Sequence, residues 1–442
     1  MKKISMLCVL FPVFLMAQAS PPIQTLTLAD VREAVLANNP SIRESLQRIL
    51  AAEAVLKQAE SPYLPTLTLK GSYNSFDTST HPEVDIEHRY EDSFDIYGGS
   101  LRANWLIFDG FARRARKLSA AYNVDRRELL ADDTRRLLLL SATVSFRQAQ
   151  LAIENIQVLE QDKQFNRILE KDAYKRFEAG AVPESDVFNF SIRVLQAESL
   201  VFQAQLDYDI ACSVLAELMA LPEGRLPENM RPAPVSDEAP TREPSVDLEL
   251  QYALTHRPDY KATEAGWMAL EQQVKVSKGK LMPSLALIGD VSYFENEGVA
   301  TADNYGDYIS YVGVGLQWDL FSGGRNRGEI RESEAEMRAL GEQRESLRLS
   351  IRSAIQKHID QARTAREVFE TQKQIYELSL KVRDSVTKAY NAGVASITRL
   401  NEVQTDTTRS EGALAASRIN SLLTLELLDA ETGRILDRRP HK

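Results

Sequence analysis

The sequence contains very little cysteine: Cys8 and Cys212 are the two in 442 residues. Residues 1–19 have the pattern of a secretory signal peptide, in which Lys2 and Lys3 precede an apolar stretch that ends in an Ala-Gln-Ala cleavage site. Cleavage there removes Cys8. Lipidation of Cys8 is not expected, because too few apolar residues precede it. One remaining cysteine cannot form a disulfide within an exported chain. The fold is therefore expected to depend on packing or on the assembly of several chains.

Long apolar runs and an excess of basic residues are missing too. After residue 19, no apolar run approaches the ~18 residues of a transmembrane helix. Asp and Glu outnumber Lys and Arg by 63 to 53, for a formal net charge of −10, which argues against a nucleic-acid partner. A chain of this composition that spans a membrane must do so without apolar helices.

Proline is absent from two long tracts. None lies between Pro82 and Pro183 or between Pro283 and Pro440, whereas residues 219–247 are rich in proline. Because an interior proline destabilises a helix by ~3 kcal/mol, the two tracts can hold very long helices. Residues 219–247 are interpreted as a linker between two halves of the chain.

Four short patterns recur in the same order, two at an offset of 218 residues and two at an offset of 213. The matched pairs begin at Asn38 and His256, at Leu64 and Met282, at Trp105 and Trp318, and at Phe177 and Tyr390. Four matches in one order indicate a tandem duplication. We predict a first repeat over residues 20–218, a second over residues 248–430, and a C-terminal tail over residues 431–442.

Each repeat is predicted to contain the same four elements in the same order. They are a helix (residues 28–59 and 248–278), a β-hairpin (66–108 and 284–321), a long helix, and a return helix (185–218 and 396–428). The long helices are predicted from apolar residues that recur every seven positions, which is a coiled-coil pattern. These residues are Leu137, Val144, Leu151, Val158 and Phe165 in the first repeat and Val368, Ile375, Val382 and Ala389 in the second.

The hairpin segments alternate between apolar and polar residues, which is typical of strands with one apolar face. The apolar set, predicted to face lipid, is Leu67, Leu69, Tyr73, Leu101, Trp105, Leu285, Leu287, Tyr293, Val314 and Trp318. Lys70, Arg102, Asn104 and Asp290 are predicted on the other face, toward a lumen. Four strands cannot close a barrel, so several chains must share one. Two chains supply eight strands, and three supply twelve with room for a channel.

No catalytic constellation is found, and an enzyme is not expected. His81 and His88 lie among the acidic residues of segment 77–95, which is interpreted as a solvated hairpin loop rather than a cation site. The other histidines show no metal-ligand spacing, so neither a metal nor a cofactor is predicted. Gly323 and Gly324 are interpreted as a hinge from strand to helix rather than a phosphate-binding loop.

The duplicated hairpins, the Trp-x-x-Phe-x-Gly blocks at Trp105 and Trp318, and the sequence of residues 177–187 resemble the TolC-type outer-membrane factor family. The resemblance covers essentially the whole mature chain. It implies a mainly α-helical chain with membrane β-hairpins and two structural repeats. Three such chains would form a 12-stranded β-barrel in the Gram-negative outer membrane, continued by a long α-helical coiled-coil barrel in the periplasm. Residues 219–247 would lie at the equator of that helical barrel.

The same resemblance implies a homotrimeric channel-tunnel that exports small molecules or proteins. It would serve a tripartite efflux pump or a type I secretion system, with efflux preferred, and would be gated at its periplasmic helix tips. The implied partners are a periplasmic adaptor (membrane fusion) protein, an inner-membrane transporter of the RND or ABC type, and outer-membrane lipid. The alternative is a secreted coiled-coil structural protein, which explains the heptads but not the paired alternating strands.

By the same resemblance, the gate residues lie around two glycine turns at the helix tips. The matching positions are Gly180, Ser185, Asp186, Tyr390, Gly393, Arg399 and Glu402. The chain departs from the family at Ala395, where an arginine is usual, and at Arg399 and Glu402, where two aspartates form a ring. One hypothesis is that Arg399 links to Asp186 and leaves a constriction of mixed charge. The other is that Arg399 is simply solvated.

Overall fold

The structure is a computed structural model that describes residues 24–80, 90–235, 242–297 and 305–437. The predicted signal segment lies outside these ranges, as do His81 and His88. The helices are α1 Leu28–Asn38, α2 Pro40–Glu60, α3 Ala112–Glu178, α4 Glu184–Leu218, α5 Val246–His256, α6 Pro258–Gly279, α7 Arg325–Asn391 and α8 Ile397–Thr432. The strands are β1 Gln24–Leu26, β2 Thr66–Thr80, β3 Tyr90–Phe108, β4 Met230–Pro232, β5 Ser284–Glu297 and β6 Tyr305–Gln317.

The helix predicted at the start of each half is interrupted by a proline. Asn39 separates α1 from α2, and Arg257 separates α5 from α6; both residues are extended and both precede a proline at the first helical position. Proline lacks an amide hydrogen and disfavours helical geometry in the residue before it, so a new helix begins there. The Asn39 side chain caps α2 by accepting from the Ser41 amide at 2.9 Å. The prediction of one continuous helix in each half was wrong.

Two very long helices give the chain its shape. α3 and α7 contain 67 residues each, which at 1.5 Å per residue corresponds to roughly 100 Å. Each folds back through a tight turn into a return helix, α4 or α8, that packs along it, and α3 also packs against α8 and α6. Within the described residues, no helix is both long and apolar enough to cross a membrane.

β2, β3, β5 and β6 form one antiparallel sheet in that order. The two hairpins are therefore joined through β3 and β5, which come from different halves of the chain. The outer strands, β2 and β6, each pair on one side only among the described strands. A second, two-stranded parallel sheet joins β1, at the start of the first repeat, to β4, in the segment between the two repeats.

The strands extend into segments that were predicted as polar loops. β2 continues to Thr80 and β3 starts at Tyr90, and these two residues still pair. The ladder pairs the backbone groups of both strands, which allows a strand to form in a polar sequence. The loop predicted over residues 77–95 is therefore shorter than expected. At the other end β6 stops at Gln317, so Trp318 lies beyond the strand and the predicted hairpin boundary was too far along the chain.

The core is divided into small clusters spaced along the helices. One lies where α1 meets α3 and α4, and a second lies where α5 meets α7 and α8. A third lies at the tips of the long helices. Long antiparallel helices can bury only a narrow stripe against each other, so the core follows the helix axes. This arrangement leaves the tips with a core of their own.

Candidate functional site

The two helix tips turn with the same backbone geometry. Gly180 and Gly393 are left-handed, with φ of 70° and 76°, directly after α3 and α7. In the first tip the Ala181 amide donates to the Arg176 carbonyl at 2.8 Å, and in the second the Val394 amide donates to the Ala389 carbonyl at 2.9 Å. This is the Schellman pattern that ends a helix at glycine. The sequence-predicted turn glycines therefore occupy equivalent positions.

The two return helices start differently. The Ser396 hydroxyl accepts from the Arg399 amide at 3.2 Å and so caps α8. Pro183 occupies the same place before α4 and makes no side-chain capping bond. Ser185, in the first turn of α4, is exposed, and Asp186 next to it is half-buried.

Tyr390 is the central side chain of the tip cluster. It is 8 % exposed and packs with Leu169, Phe190 and Leu400, which come from α3, α4 and α8. Its ring meets the Phe190 ring edge-on, with centroids 6.5 Å apart. The pair therefore holds the end of α7 against the first helix pair. Phe177, at the equivalent position of the first tip, is 37 % exposed.

Arg176 joins the two tips from the polar side. Its guanidinium lies 5.3 Å from the centre of the Tyr390 ring and donates to the Asn391 side chain at 3.2 Å. It also contacts Asp172 at 2.8 Å. Burial raises the pKa of Tyr390 and the Arg176 charge opposes this rise, while the charge of Asp186 adds to it. The tyrosine is therefore held in its neutral form.

Arg399 and Glu402 lie together on the exposed side of α8. Their side chains form an ion pair at 3.2 Å, and both are more than half exposed. Within the described chain, the partner of Arg399 is thus Glu402, one helical turn along, rather than Asp186. The first turns of α8 therefore carry one positive and one negative charge, from Arg399 and Glu402.

Polar contacts continue to join the two helix pairs above the tip. Asn401 donates to Asn189 at 2.9 Å, and Gln404 donates to Asp162 at 2.7 Å. Arg193 donates to the Thr405 hydroxyl at 3.2 Å. These contacts border a groove of about 490 Å³ between α3, α4 and α8. Helix pairs joined by hydrogen bonds rather than by a continuous apolar seam can separate at a moderate energetic cost.

The predicted apolar residues that lie within the strands share one face of the sheet, and Trp318 lies just beyond the end of β6. The register aligns Leu69 with Leu101, and it aligns Trp105 with Leu287 and Leu287 with Val314. The residues of the set with more than a third of their surface exposed are Leu67, Leu69, Tyr73, Leu101, Trp105, Leu287, Tyr293, Val314 and Trp318. Leu285 is partly covered. Within the described residues, the chain thus presents a broad apolar surface on a sheet whose two outer strands each pair on one side only.

Arg102 and Asp290 lie opposite each other on the other face. They are register partners on β3 and β5, and their side chains form an ion pair at 2.9 Å. Asp290 is 6 % exposed, whereas the arginine is half exposed. The predicted polar face therefore carries a link between the two halves of the chain.

The two tryptophans make equivalent hydrogen bonds at the end of the sheet where the helices begin. Trp105 donates its indole hydrogen to the Tyr63 carbonyl at 3.0 Å, and Trp318 donates to the Leu281 carbonyl at 3.1 Å. Each acceptor lies just before the proline-containing entry to the following strand. The two hydrogen bonds are equivalent in the two halves of the chain.

Sequence reasoning missed several residues that complete the tip. Arg176, Phe190 and Asn401 were not singled out, although they contact or flank predicted residues. Phe190 lies on an apolar periodic position of the return helix, which was the available signal. No local pattern reveals the tip role of Arg176, because Tyr390 and Asn391, which it contacts there, come from the other half of the chain. Among the described residues, no group of three His, Cys, Asp or Glu side chains comes together as a metal-binding set.

Comparison with known proteins gives a consistent result. A family model described as outer membrane efflux protein matches residues 31–221 and 250–434. The chain is 24 % identical to protein CyaE of Bordetella pertussis over 416 residues, which covers 92 % of this chain and 85 % of CyaE. It is 23 % identical over 424 residues to the outer membrane efflux protein BepC of Brucella suis, covering 93 % and 86 %.

The fold is also similar to that of a solved channel. The structure of the CmeC outer membrane channel of Campylobacter jejuni matches with a TM-score of 0.77 at 14 % sequence identity. The match covers 92 % of this chain and 85 % of that one. At this identity the similarity is one of fold.

Proposed function

This chain belongs to the outer membrane efflux protein family, and we propose that three copies of it form a channel-tunnel that exports molecules across the outer membrane. The observation that carries the proposal is the four-stranded sheet with one apolar face and two open edges, which leads directly into two helices of roughly 100 Å. Its relatives in family and fold are outer-membrane efflux channels rather than enzymes.

The open sheet edges support assembly of several copies. A spanning sheet has to close, because unpaired backbone groups are costly in lipid. Four strands per chain give twelve in a trimer, which is wide enough for an aqueous channel. Trp105 and Trp318 suit the aromatic belt of such a barrel, since amphipathic rings favour the interface between membrane and water.

Two unpartnered apolar stripes support the same assembly. On α4 the stripe consists of Phe188, Ile192, Leu195, Phe202, Leu206 and Ile210, all more than half exposed. On α7 it consists of Val368, Ile375, Leu378 and Val382, which are 43 to 59 % exposed. Both stripes follow the spacing of a coiled-coil seam. The chain runs away from the first tip along α4 and toward the second tip along α7, so the two helices have opposite chain directions. We infer that α4 of one copy packs against α7 of the next.

The helix tips would form the gate of the channel. The Tyr390 cluster and the Arg176 contacts hold the two helix pairs together, and the Arg399–Glu402 pair would line the constriction. A constriction of mixed charge attracts cations less strongly than a ring of carboxylates does. The grooves beside Gly180 and Gly393 would receive the tip of a periplasmic adaptor, which would connect the channel to an inner-membrane transporter.

The cargo is proposed as small molecules, with protein export as the second option. Both uses need the same duct, and the inner-membrane transporter would select the substrate. A secreted coiled-coil structural protein is the weaker alternative. It gives no role to the apolar face of the sheet or to the two tryptophan hydrogen bonds.

Disulfide crosslinking tests the assembly. Ile192 and Val382 lie at nearly the same distance from their glycine turns, so cysteines at both positions in a Cys212→Ala chain should crosslink between copies. Oxidation should give a ladder that ends at three chains on a denaturing gel. Ile192→Cys paired with Leu349→Cys is the matched control, since Leu349 is also exposed on α7 but lies far from the tip. Monomers alone would contradict the proposal, and a ladder ending at two chains would indicate an eight-stranded barrel.

Single-channel recording in planar bilayers tests the channel and its constriction. The protein should conduct, and Arg399→Ala should change the conductance, because it leaves Glu402 as the charge at that level. We expect an increase for cations. Arg409→Ala is the matched control: Arg409 makes a similar ion pair with Asp406 farther along α8. Unchanged conductance in Arg399→Ala would show that Arg399 does not line the constriction. The absence of any conductance would contradict the proposed channel function itself.

A further inference from the structure

The two turns from strand to helix use different residues for the same conformation. β3 enters α3 through Gly110 and Phe111, with φ of 65° and 66°, and β6 enters α7 through Gly323 and Gly324, with φ of 61° and 90°. A side chain in the left-handed region costs ~1–2 kcal/mol, which glycine avoids. Phe111 therefore holds a strained backbone that its counterpart Gly324 adopts freely. A strained position that carries a large exposed ring suggests a role for the ring.

The Phe111 ring extends the apolar face of the sheet toward the helices. It is 65 % exposed and meets the Phe108 ring edge-on, with centroids 5.4 Å apart. Phe108 pairs in register with Leu285, which belongs to the apolar face. Phe111 thus lies at the edge of that apolar face that is nearest to the helices.

A cleft of about 380 Å³ lies directly next to this ring, between α3 and α6. We name it the Phe111 cleft. Its apolar wall consists of Phe111, Leu118 and Met282, and its cationic wall consists of Arg114, Lys275 and Lys278. Among the described residues that line the cleft, none is acidic. The turn from β3 into α3 packs tightly against the end of α6, because a Cβ on Gly110 would lie 2.6 Å from the Gly279 carbonyl oxygen.

The cations of the cleft retain charge available for a ligand. Lys275 contacts Glu271 at 3.1 Å and Lys278 contacts Glu334 at 3.0 Å, but both lysines are more than half exposed. Ion pairs this exposed are weak, so an incoming anion can compete for the ammonium groups. Arg114 is exposed and adds a third cation.

We propose that the Phe111 cleft binds an anionic phospholipid. The phosphate lies among Arg114, Lys275 and Lys278, and the first part of an acyl chain lies along Phe111 and Leu118. The inference rests on the proposed function, because it places the apolar face of the sheet in a membrane and the cleft at the level of the headgroups of the periplasmic leaflet. Phospholipid fits both walls, whereas free phosphate would leave the apolar wall uncovered.

Lipid retention by the full chain, purified in non-ionic detergent, tests the inference. Native mass spectrometry after addition of phosphatidylglycerol or phosphatidylcholine should show preferential retention of phosphatidylglycerol. Removing one cation by Arg114→Gln should weaken retention about fivefold, as expected for one basic residue near an anionic headgroup. Phe111→Gly should also weaken retention although it relieves the backbone strain, so lost binding there cannot be attributed to misfolding.

The second junction supplies the matched control. Arg327 lies three residues after Gly324, as Arg114 lies three residues after Phe111, and it is also exposed, but Gly324 carries no ring at the position of Phe111. Arg327→Gln should retain lipid as the wild type does. Glycerol 3-phosphate in excess should not displace the lipid, because it lacks acyl chains; displacement would indicate a simple phosphate site and overturn the inference. Equal retention in all variants, or equal retention of both lipids, would overturn it too.

The outcome can be separated from that of the proposed function. Lipid retention is measured in detergent and needs no channel, and conductance is measured in phosphatidylcholine bilayers that contain no anionic lipid. A protein that conducts but does not prefer phosphatidylglycerol contradicts the lipid site alone. A protein that retains phosphatidylglycerol but never conducts contradicts the proposed function alone.

Discussion

The two helix tips have the same backbone and different side-chain environments. Both end in a left-handed glycine with the same hydrogen-bond pattern. Yet Tyr390 is buried between elements of both halves, while Phe177 at the equivalent position is partly exposed. The first return helix starts at a proline without a side-chain cap, and the second starts at a capping serine. Local sequence sets the turn, whereas distant packing decides which tip is anchored.

The largest expected difference between the tips is the effect of removing their aromatic rings. Tyr390→Ala leaves a cavity against Phe190 and Leu400 and should destabilise the second tip by about 3 kcal/mol. Phe177→Ala should cost less, about 1–2 kcal/mol, because more than a third of that side chain is already exposed to solvent. Hydrogen exchange of the tip amides measures both. Equal loss of protection in the two variants would show that the tips are anchored alike.

Replacing the turn glycines should affect both tips equally. Gly180→Ala and Gly393→Ala should each cost ~1–2 kcal/mol of tip stability, because no neighbouring atom would meet the new Cβ and only the left-handed φ opposes it. Gly412→Ala is the control, since Gly412 lies inside α8 with open space around it and should gain up to ~1 kcal/mol. Thermal unfolding and hydrogen exchange measure the changes. A clear difference between the two turn variants would contradict their equivalence.

The cap of α8 should contribute a smaller difference. Ser396→Ala removes the hydroxyl that accepts from the Arg399 amide and should cost ~1 kcal/mol at the second tip. Pro183→Ala should have a smaller effect on capping at the first tip, because Pro183 makes no such bond. Exchange rates of the first-turn amides of α4 and α8 provide the comparison. If both variants lose equal protection, the serine cap has no special role.

The smallest expected effect is a pH dependence confined to the second tip. Burial raises the pKa of Tyr390, so the folded state holds the proton more tightly than the unfolded state does. This contribution is complete below about pH 10, the ordinary tyrosine pKa, and is lost as the pH rises through the higher folded value. The second tip should therefore lose exchange protection above about pH 10 relative to the first. Tyr390→Phe should abolish this difference, and its persistence there would assign the effect to another group.

Much of the fold could be predicted from short-range patterns. The heptads and the missing prolines indicated α3 and α7, and the alternation indicated the apolar face that Leu101 and Trp105 share. The helix breaks before Pro40 and Pro258 were also visible in the sequence, and the prediction of continuous helices overlooked them. The gate residues were predicted from the resemblance to a family rather than from short-range patterns. The contacts of Tyr390 with Arg176 and Phe190 could not be predicted, because these residues lie 214 and 200 positions before Tyr390 in the chain.

The sequence by itself determined the long helices, the strands, the glycine turns and the polarity of each face. These features depend on backbone conformation and on residues within a few positions, such as the absence of proline or the left-handed φ of glycine. Only the tertiary structure decided which of two equivalent aromatics is buried, where Arg399 finds its partner, and that Phe111 borders a cationic cleft. Those outcomes depend on which distant surfaces meet, because burial and charge pairing are set by neighbours in space rather than in the chain.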